Sequence, residues 1–213
     1  LRNHSGESTD GWITSTTVGS TTHTFTSSAN YSLFGQKSFR LNISECELGA
    51  RVRFYQTIEE AKPNTTYTFS GYIRTVGLNE VEGQENGGAL LHVYIGNTDV
   101  SDTQEISEYI TGTSDSGINN GWRRVSVTFT TTNHVNYVRI SGMVRGATGK
   151  AYFDGLQLER GKTFSDYNLV ENSSFERTTD SFPDNWQGNE LTSDDKILAG
   201  TYANGSQSFK ITP

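Results

Sequence analysis

One cysteine, Cys46, and three prolines are all that 213 residues hold of either type. A single thiol excludes a disulfide staple and a four-cysteine zinc site within one chain. Charge is scarce too: Asp, Glu, Lys and Arg make up 19% of the residues, with 24 acids against 17 bases. A net charge of −7 supplies no basic field for a phosphate backbone, so nucleic acid is not expected as a partner. No run approaches 18 apolar residues, and no membrane insertion is expected. Long stretches of Ala, Leu, Glu and Lys are missing, which sets aside a helical bundle or coiled coil.

Aromatic residues are plentiful, with 11 Phe, 10 Tyr and 3 Trp, and there are 22 Gly. Many aromatics with little charge is the opposite of a disordered composition. Thr, Ser, Gly and Asn abound, and these favour strands and turns over helix interiors. The chain reads as all-β. It opens on Leu1 rather than Met and reads as part of a longer protein, so a missing signal segment decides nothing.

Short alternating runs divided by turn residues predict eight strands. Arg51 to Ile58 sets Val52, Phe54, Gln56 and Ile58 against Arg51, Arg53, Tyr55 and Thr57. Leu91, Val93 and Ile95 alternate with Leu90, His92 and Tyr94. Similar runs cover 38–43, 66–76, 122–131, 136–143 and 150–159, with a weaker one at 105–113. No window carries a helical period.

Two segments match each other. Gly35-Gln36-Lys37-Ser38-Phe39-Arg40-Leu41-Asn42 resembles Gly205-Ser206-Gln207-Ser208-Phe209-Lys210-Ile211-Thr212, and Leu1 to Glu7 resembles Val170 to Glu176. Trp12 and Trp186 lie between the paired blocks. This repeat divides the chain into a first module, residues 1–166, and the truncated start of a second, homologous one, residues 167–213. Forty-seven residues rarely close a core alone. Residues 167–213 are therefore expected to lean on the first module or to exchange strands with another copy, giving a homo-oligomer. Phe175, Trp186, Phe209 and Ile211 motivate the second option.

The order of these landmarks resembles carbohydrate-binding modules of the family 4 and 9 type. The residues that carry the resemblance are Asn172 to Glu176, Trp12, Gly35 to Leu41, Pro63-Asn64 before Tyr67 to Ser70, Trp122 with Val125 to Phe129, and Tyr152-Phe153-Asp154. Tyr152 to Glu159 followed by Tyr167 to Val170 is similar to tandem modules of bacterial surface proteins with YD (RHS) repeats. Gly6 stands where that family has Phe, which suggests a looser module edge. The resemblance implies an antiparallel β-sandwich, a jelly roll. One sheet would hold the runs at 38–43, 151–158, 66–74 and 122–130. The other would hold 51–58, 136–143, 89–95 and 105–111.

The resemblance also implies a structural calcium ion. Asp154 reads as inward with Leu156 and Leu158, and a lone buried carboxylate must be paired or metal-bound. In the resembling family the equivalents of Glu7 and Asp154, with carbonyls near the Gly35 to Ser38 turn, hold that ion. Oxygen-only ligands suit calcium. The alternative is that Asp154 caps backbone amides or pairs with a cation such as Arg40.

The sheet holding 51–58, 136–143 and 89–95 is the concave binding sheet of the resembling family. Its outward residues here are Arg53, Tyr55, His92, Tyr94, Tyr137 and Arg139. Flat aromatic faces suit sugar C–H patches, and planar polar groups bridge hydroxyls. The same residues could equally cover an antiparallel sheet with no ligand at all. His92 reads as a solvated surface group. His4, His23, His92 and His134 lack metal-ligand spacing, and no nucleophile elbow or phosphate loop is present. Glu59 and Glu60 are adjacent beside a turn rather than opposed, unlike a glycosidase pair. The protein is therefore not expected to be an enzyme. The leading expectation is a non-catalytic carbohydrate-binding module of a secreted or surface bacterial protein, located outside the cell. The alternative is a structural spacer or protein-interaction module with no sugar site.

Overall fold

The structure, a computed structural model, describes residues 1, 3–97, 101–105, 109–113, 118–166, 175, 178–180, 182–184, 186–200 and 207–212. The chain divides into two compact units, Leu1–Asp166 and Tyr167–Pro213.

Among the described residues the first unit holds ten strands: β1 (Ile13–Val18), β2 (Thr21–Ser28), β3 (Ser38–Cys46), β4 (Arg51–Ile58), β5 (Thr66–Glu80), β6 (Gly88–Asn97), β7 (Ser101–Glu105), β8 (Arg123–Thr130), β9 (Val135–Arg145) and β10 (Ala147–Arg160). One sheet runs β1-β4-β9-β6-β7 and the other β2-β3-β10-β5-β8, with every pairing antiparallel. This is the all-β jelly-roll sandwich that the landmarks imply. The weak run at 105–113 differs: β7 ends at Glu105, residues 106–108 lie outside the described residues, and Ile110 and Gly112 make only single bridges, to Ala89 and Leu78.

Strands β1 and β2 correct the expected count of eight. Both are Thr-rich, with few apolar residues to alternate, so period-2 reading passes over them. A turn through Gly19 carries the chain from β1 to β2, at the edges of different sheets. Short polar edge strands guard a sheet against further pairing.

The inward faces meet in an aromatic core. Phe54 lies within 5.2 Å (ring centroids) of Trp12, Phe25, Phe39 and Phe153. Val52, Leu91, Val93, Ile95, Val125, Val127, Phe129, Val138 and Ile140 complete the apolar filling between the sheets. Trp12 and Trp122 are buried. Among the described residues the one helical piece is a 3-10 turn, Ile118–Gly121, and no helix is long and apolar enough to cross a membrane.

Residues 3–7 cross closely over the start of β3. A Cβ on Gly6 would come within 2.5 Å of the Phe39 amide nitrogen, and Gly6 sits at φ +74°. Glycine here tightens the module edge, the reverse of the looseness expected from the missing Phe. Leu156 N donates to His4 O at 3.0 Å and Trp12 Nε1 to Asn3 O at 3.3 Å, fixing the segment further.

In the second unit, β13 (Lys196–Ala199) pairs with β14 (Gln207–Lys210), and β11 (Thr178–Thr179) with β12 (Phe182–Pro183). Phe175 lies against Trp186 and Phe209, and Phe182 meets Phe209 edge-on. The matching motifs supply β3 and β14, but residues 170–174, 176, 205 and 206 of the repeat lie outside the described residues.

Candidate functional site

Strands β4, β9 and β6 turn alternate residues away from the core. Register sets them in rows. Arg53, Met143 and Leu90 form one row; Tyr55, Ser141 and His92 the next; then Thr57, Arg139 and Tyr94; then Tyr137 and Gly96. Cross-strand neighbours lie about 4.8 Å apart and rows about 7 Å apart. Five of the six expected residues gather on this face, each partly exposed: Arg53, Tyr55, Tyr94, Tyr137 and Arg139.

They form a chain of ring and guanidinium contacts. The Arg53 guanidinium carbon sits 5.2 Å from the Tyr55 centroid, and that of Arg139 sits 4.5 Å from it. Arg139 also reaches Tyr137 at 5.4 Å, and Tyr137 stacks with Tyr94 at 6.0 Å and 30°. Arg53 Nε donates to Ser15 Oγ at 3.1 Å. Burial lowers the Arg53 pKa from its ordinary value, and the charge of Arg139 lowers it further. Arg139 Nε and Ser141 Oγ are buried without a hydrogen-bond partner. The face is therefore rich in donors, flat rings and unspent polar capacity.

His92 is corrected. It is 3% exposed rather than a solvated surface group. Strand β6 is interior, flanked by β9 and β7, so a mid-strand residue has neighbours on every side. His92 and Leu90 form floor, not rim. Sequence reading also missed residues that β1 adds. Ile13 lies opposite Tyr55 and is 59% exposed, and Ser15 lies opposite Arg53. Recognising Thr14, Thr16 and Thr17 as a β-branched strand would have found them.

Glu7 and Asp154 meet at another place, under the loop before β3. Asp154 Oδ2 accepts from Leu33 N at 2.7 Å and Phe34 N at 3.0 Å, and Oδ1 from Gly155 N at 2.7 Å. Glu7 Oε1 accepts from Gln36 N and Lys37 N at 2.8 and 3.1 Å. Asp154 is fully buried, and desolvation raises its pKa to about 7 against three backbone amides that lower it; Glu7 raises it further. The expected inward register with Leu156 is corrected. Phe153 is in the core, so alternation turns Asp154 to the opposite face, in register with Tyr72. A bulge between Asp154 and Gln157, with Gly155 at φ +57°, then returns Leu156 to the core.

Backbone amides make the contacts seen to these two carboxylates, which is the alternative in which Asp154 caps amides. Among the described residues no group of three or more His, Cys, Asp or Glu side chains could hold a metal. A cation beside Glu7 and Asp154 would draw its other ligands from carbonyls or water. Two neighbouring acids, one of them buried, still suit a hard cation in charge and donor type.

The fold defined by these two sheets is the β-sandwich of carbohydrate-binding modules. The first xylan-binding CBM22 domain of Paenibacillus barcinonensis Xyn10C superposes with a TM-score of 0.52 at 13% identity, covering 76% of this chain and 94% of that domain. The tandem of both CBM22 domains from that protein gives 0.52 at 15% identity, covering 97% and 58%. The enzymatically active domain of bacteriophage CBA120 tailspike protein 4 gives 0.51 at 18% identity, covering 76% and 21%. At these identities the likeness is one of fold.

No protein-family model matches the chain. In sequence it is similar to tRNA nuclease WapA of Bacillus subtilis strain 168, 32% identical over 169 residues, which covers 74% of this chain and 7% of that protein. The tRNA(Glu)-specific nuclease WapA of Bacillus subtilis subsp. natto is equally similar, with 6% of its length covered. The chain thus spans less than a tenth of these relatives' length. Their names overturn the expectation that the protein is not an enzyme. That expectation rested on missing motifs in 213 residues, and so small a share of a long protein does not decide what the whole catalyses. The exclusion of nucleic acid weakens for a similar reason. Net charge averages over a face that carries several arginines.

Proposed function

We propose that this chain is a glycan-binding module within a longer bacterial surface or secreted protein. The observation that carries this reading is the run Arg53–Tyr55–Arg139–Tyr137–Tyr94 across adjacent strands of one sheet. It joins flat rings to planar donors on one face. The fold shared with carbohydrate-binding modules supports it. We read residues 167–213 as the start of a second such module, and the tandem CBM22 alignment supports that view. The relatives' names connect the longer protein with tRNA cleavage, and within it this segment would hold the protein to a polysaccharide. A calcium ion held by Glu7 and Asp154 would neutralise the two acids and clamp residues 3–7 and the loop before β3 to the sandwich.

Affinity electrophoresis and a glycan array with the full chain test the reading. Retention by at least one polysaccharide is expected, and Tyr94→Ala with Tyr137→Ala should abolish it. No retention on any polysaccharide would leave the spacer reading.

A further inference from the structure

Strands β1, β4, β6 and β9 contain no Asp or Glu. They carry four arginines, Arg51, Arg53, Arg139 and Arg145, all on the outward face, opposite Val52, Phe54, Ile140 and Val144 in the core. Acids outnumber bases 24 to 17 in the chain, so composition does not explain this segregation. On edge strand β7, Glu105 lies in register with His92, two strands from β9.

Arg53 and Arg139 are the unusual pair. Both approach the same Tyr55 ring, and neither meets a carboxylate among the described residues. Arg53 spends one hydrogen bond on Ser15, whereas Arg139 makes none among the described residues. Two like charges on a half-buried face repel each other, and anionic groups bound at the two arginines offset that repulsion. A guanidinium fork matches the oxygens of carboxylate or phosphate in pairs.

We propose that the ligand of this face is an anionic polysaccharide, with carboxylate or phosphate groups that Arg53 and Arg139 neutralise. This rests on the reading of the face as a glycan site. It favours glycan over RNA because the sandwich is that of carbohydrate-binding modules; the charge of the face suits either polyanion, and the test separates them.

The test titrates the full chain with five probes: polygalacturonate, its methyl ester, poly(glycerol phosphate), xylan and poly(U) RNA. Low and high salt are compared. Polygalacturonate or poly(glycerol phosphate) is expected to bind about 10-fold or more tightly than the uncharged methyl ester and xylan. Which of the two binds separates carboxylate from phosphate. High salt should narrow the gap. Arg139→Gln should remove the preference without lowering Tm, whereas Arg40→Gln on the other sheet should leave it unchanged. A neutral glycan bound as tightly as the charged ones overturns the inference while the glycan reading stands. RNA bound more tightly than every glycan overturns the choice of ligand class. No polysaccharide bound at all overturns both the reading and the inference.

Discussion

Tyr137 lies flat over Gly96. The two are cross-strand partners on β9 and β6, and a Cβ at position 96 would run into the Tyr137 ring. The missing side chain lets the ring settle on the sheet and stack with Tyr94. Gly96→Val should therefore lift Tyr137 off the face. Expected is a loss of polysaccharide retention comparable to Tyr137→Ala, with Tm little changed. Valine favours strands, which offsets the local clash. Retention equal to wild type would show that Tyr137 does not touch the ligand.

Gly6 and Gly49 share a left-handed backbone, at φ +74° and +77°, but not an environment. A Cβ at Gly6 meets the backbone of Ser38 and Phe39, whereas Gly49 has nothing within 4 Å. Gly49→Ala carries only the conformational cost, about 1 kcal/mol. Gly6→Ala adds a clash with backbone that cannot rotate away. It should cost more than about 2 kcal/mol. Urea midpoints at constant slope measure both.

Much of the sandwich was legible because most strands obey period 2. Val52 and Phe54, Leu91 and Val93, and Val125 and Val127 each alternate with polar residues, and the sheet memberships expected for those runs are those observed. Strands β1 and β2 were not legible. An edge strand has one neighbour, so Thr and Ser suffice where an interior strand needs Val or Ile. Asp154 was misplaced because a bulge shifts the phase of alternation by one residue; Gly155, a glycine inside a strand run, was the signal that marks it. Alternation showed that Arg53, Tyr55, Tyr94, Tyr137 and Arg139 point outward, and the jelly-roll order implied by the resemblance made their strands neighbours. The burial of His92 and the contributions of Ile13 and Gly96 depend on which strand lies next to which, a property of the closed sheet rather than of any one segment.

Phe54 is the centre of the aromatic core, touching three rings of the facing sheet, Phe25, Phe39 and Phe153, and Trp12 of the N-terminal segment. Phe54→Ala leaves a cavity that four neighbouring rings cannot fill by rotating in place. The expected loss is about 3–5 kcal/mol. Phe54→Leu, which keeps most of the volume, should cost less than half as much. Chemical denaturation of the two variants side by side decides the point, and equal losses would indicate a core that relaxes around Phe54.

Asp154 makes stability depend on pH, and the direction depends on calcium. Its folded pKa stands at about 7 and its ordinary value is 3.8. Between these values the native chain holds a proton that the unfolded chain has released. Stability from this group is therefore fully present below about pH 4 and lost as pH rises through 7. At about 1.4 kcal/mol per unit the change amounts to a few kcal/mol. In chelator, wild type should lose Tm between pH 5 and 7.5 relative to Asp154→Asn, which has no proton to release. Calcium needs the ionised carboxylate, so added calcium should raise Tm at pH 7.5, far less at pH 5, and not at all in the variant. A calcium-independent Tm at pH 7.5 would remove the ion from Glu7 and Asp154 while leaving the burial argument intact. A chelated wild type that tracks Asp154→Asn at every pH would instead remove the burial argument, because the carboxylate would then be ionised in the folded chain at no cost.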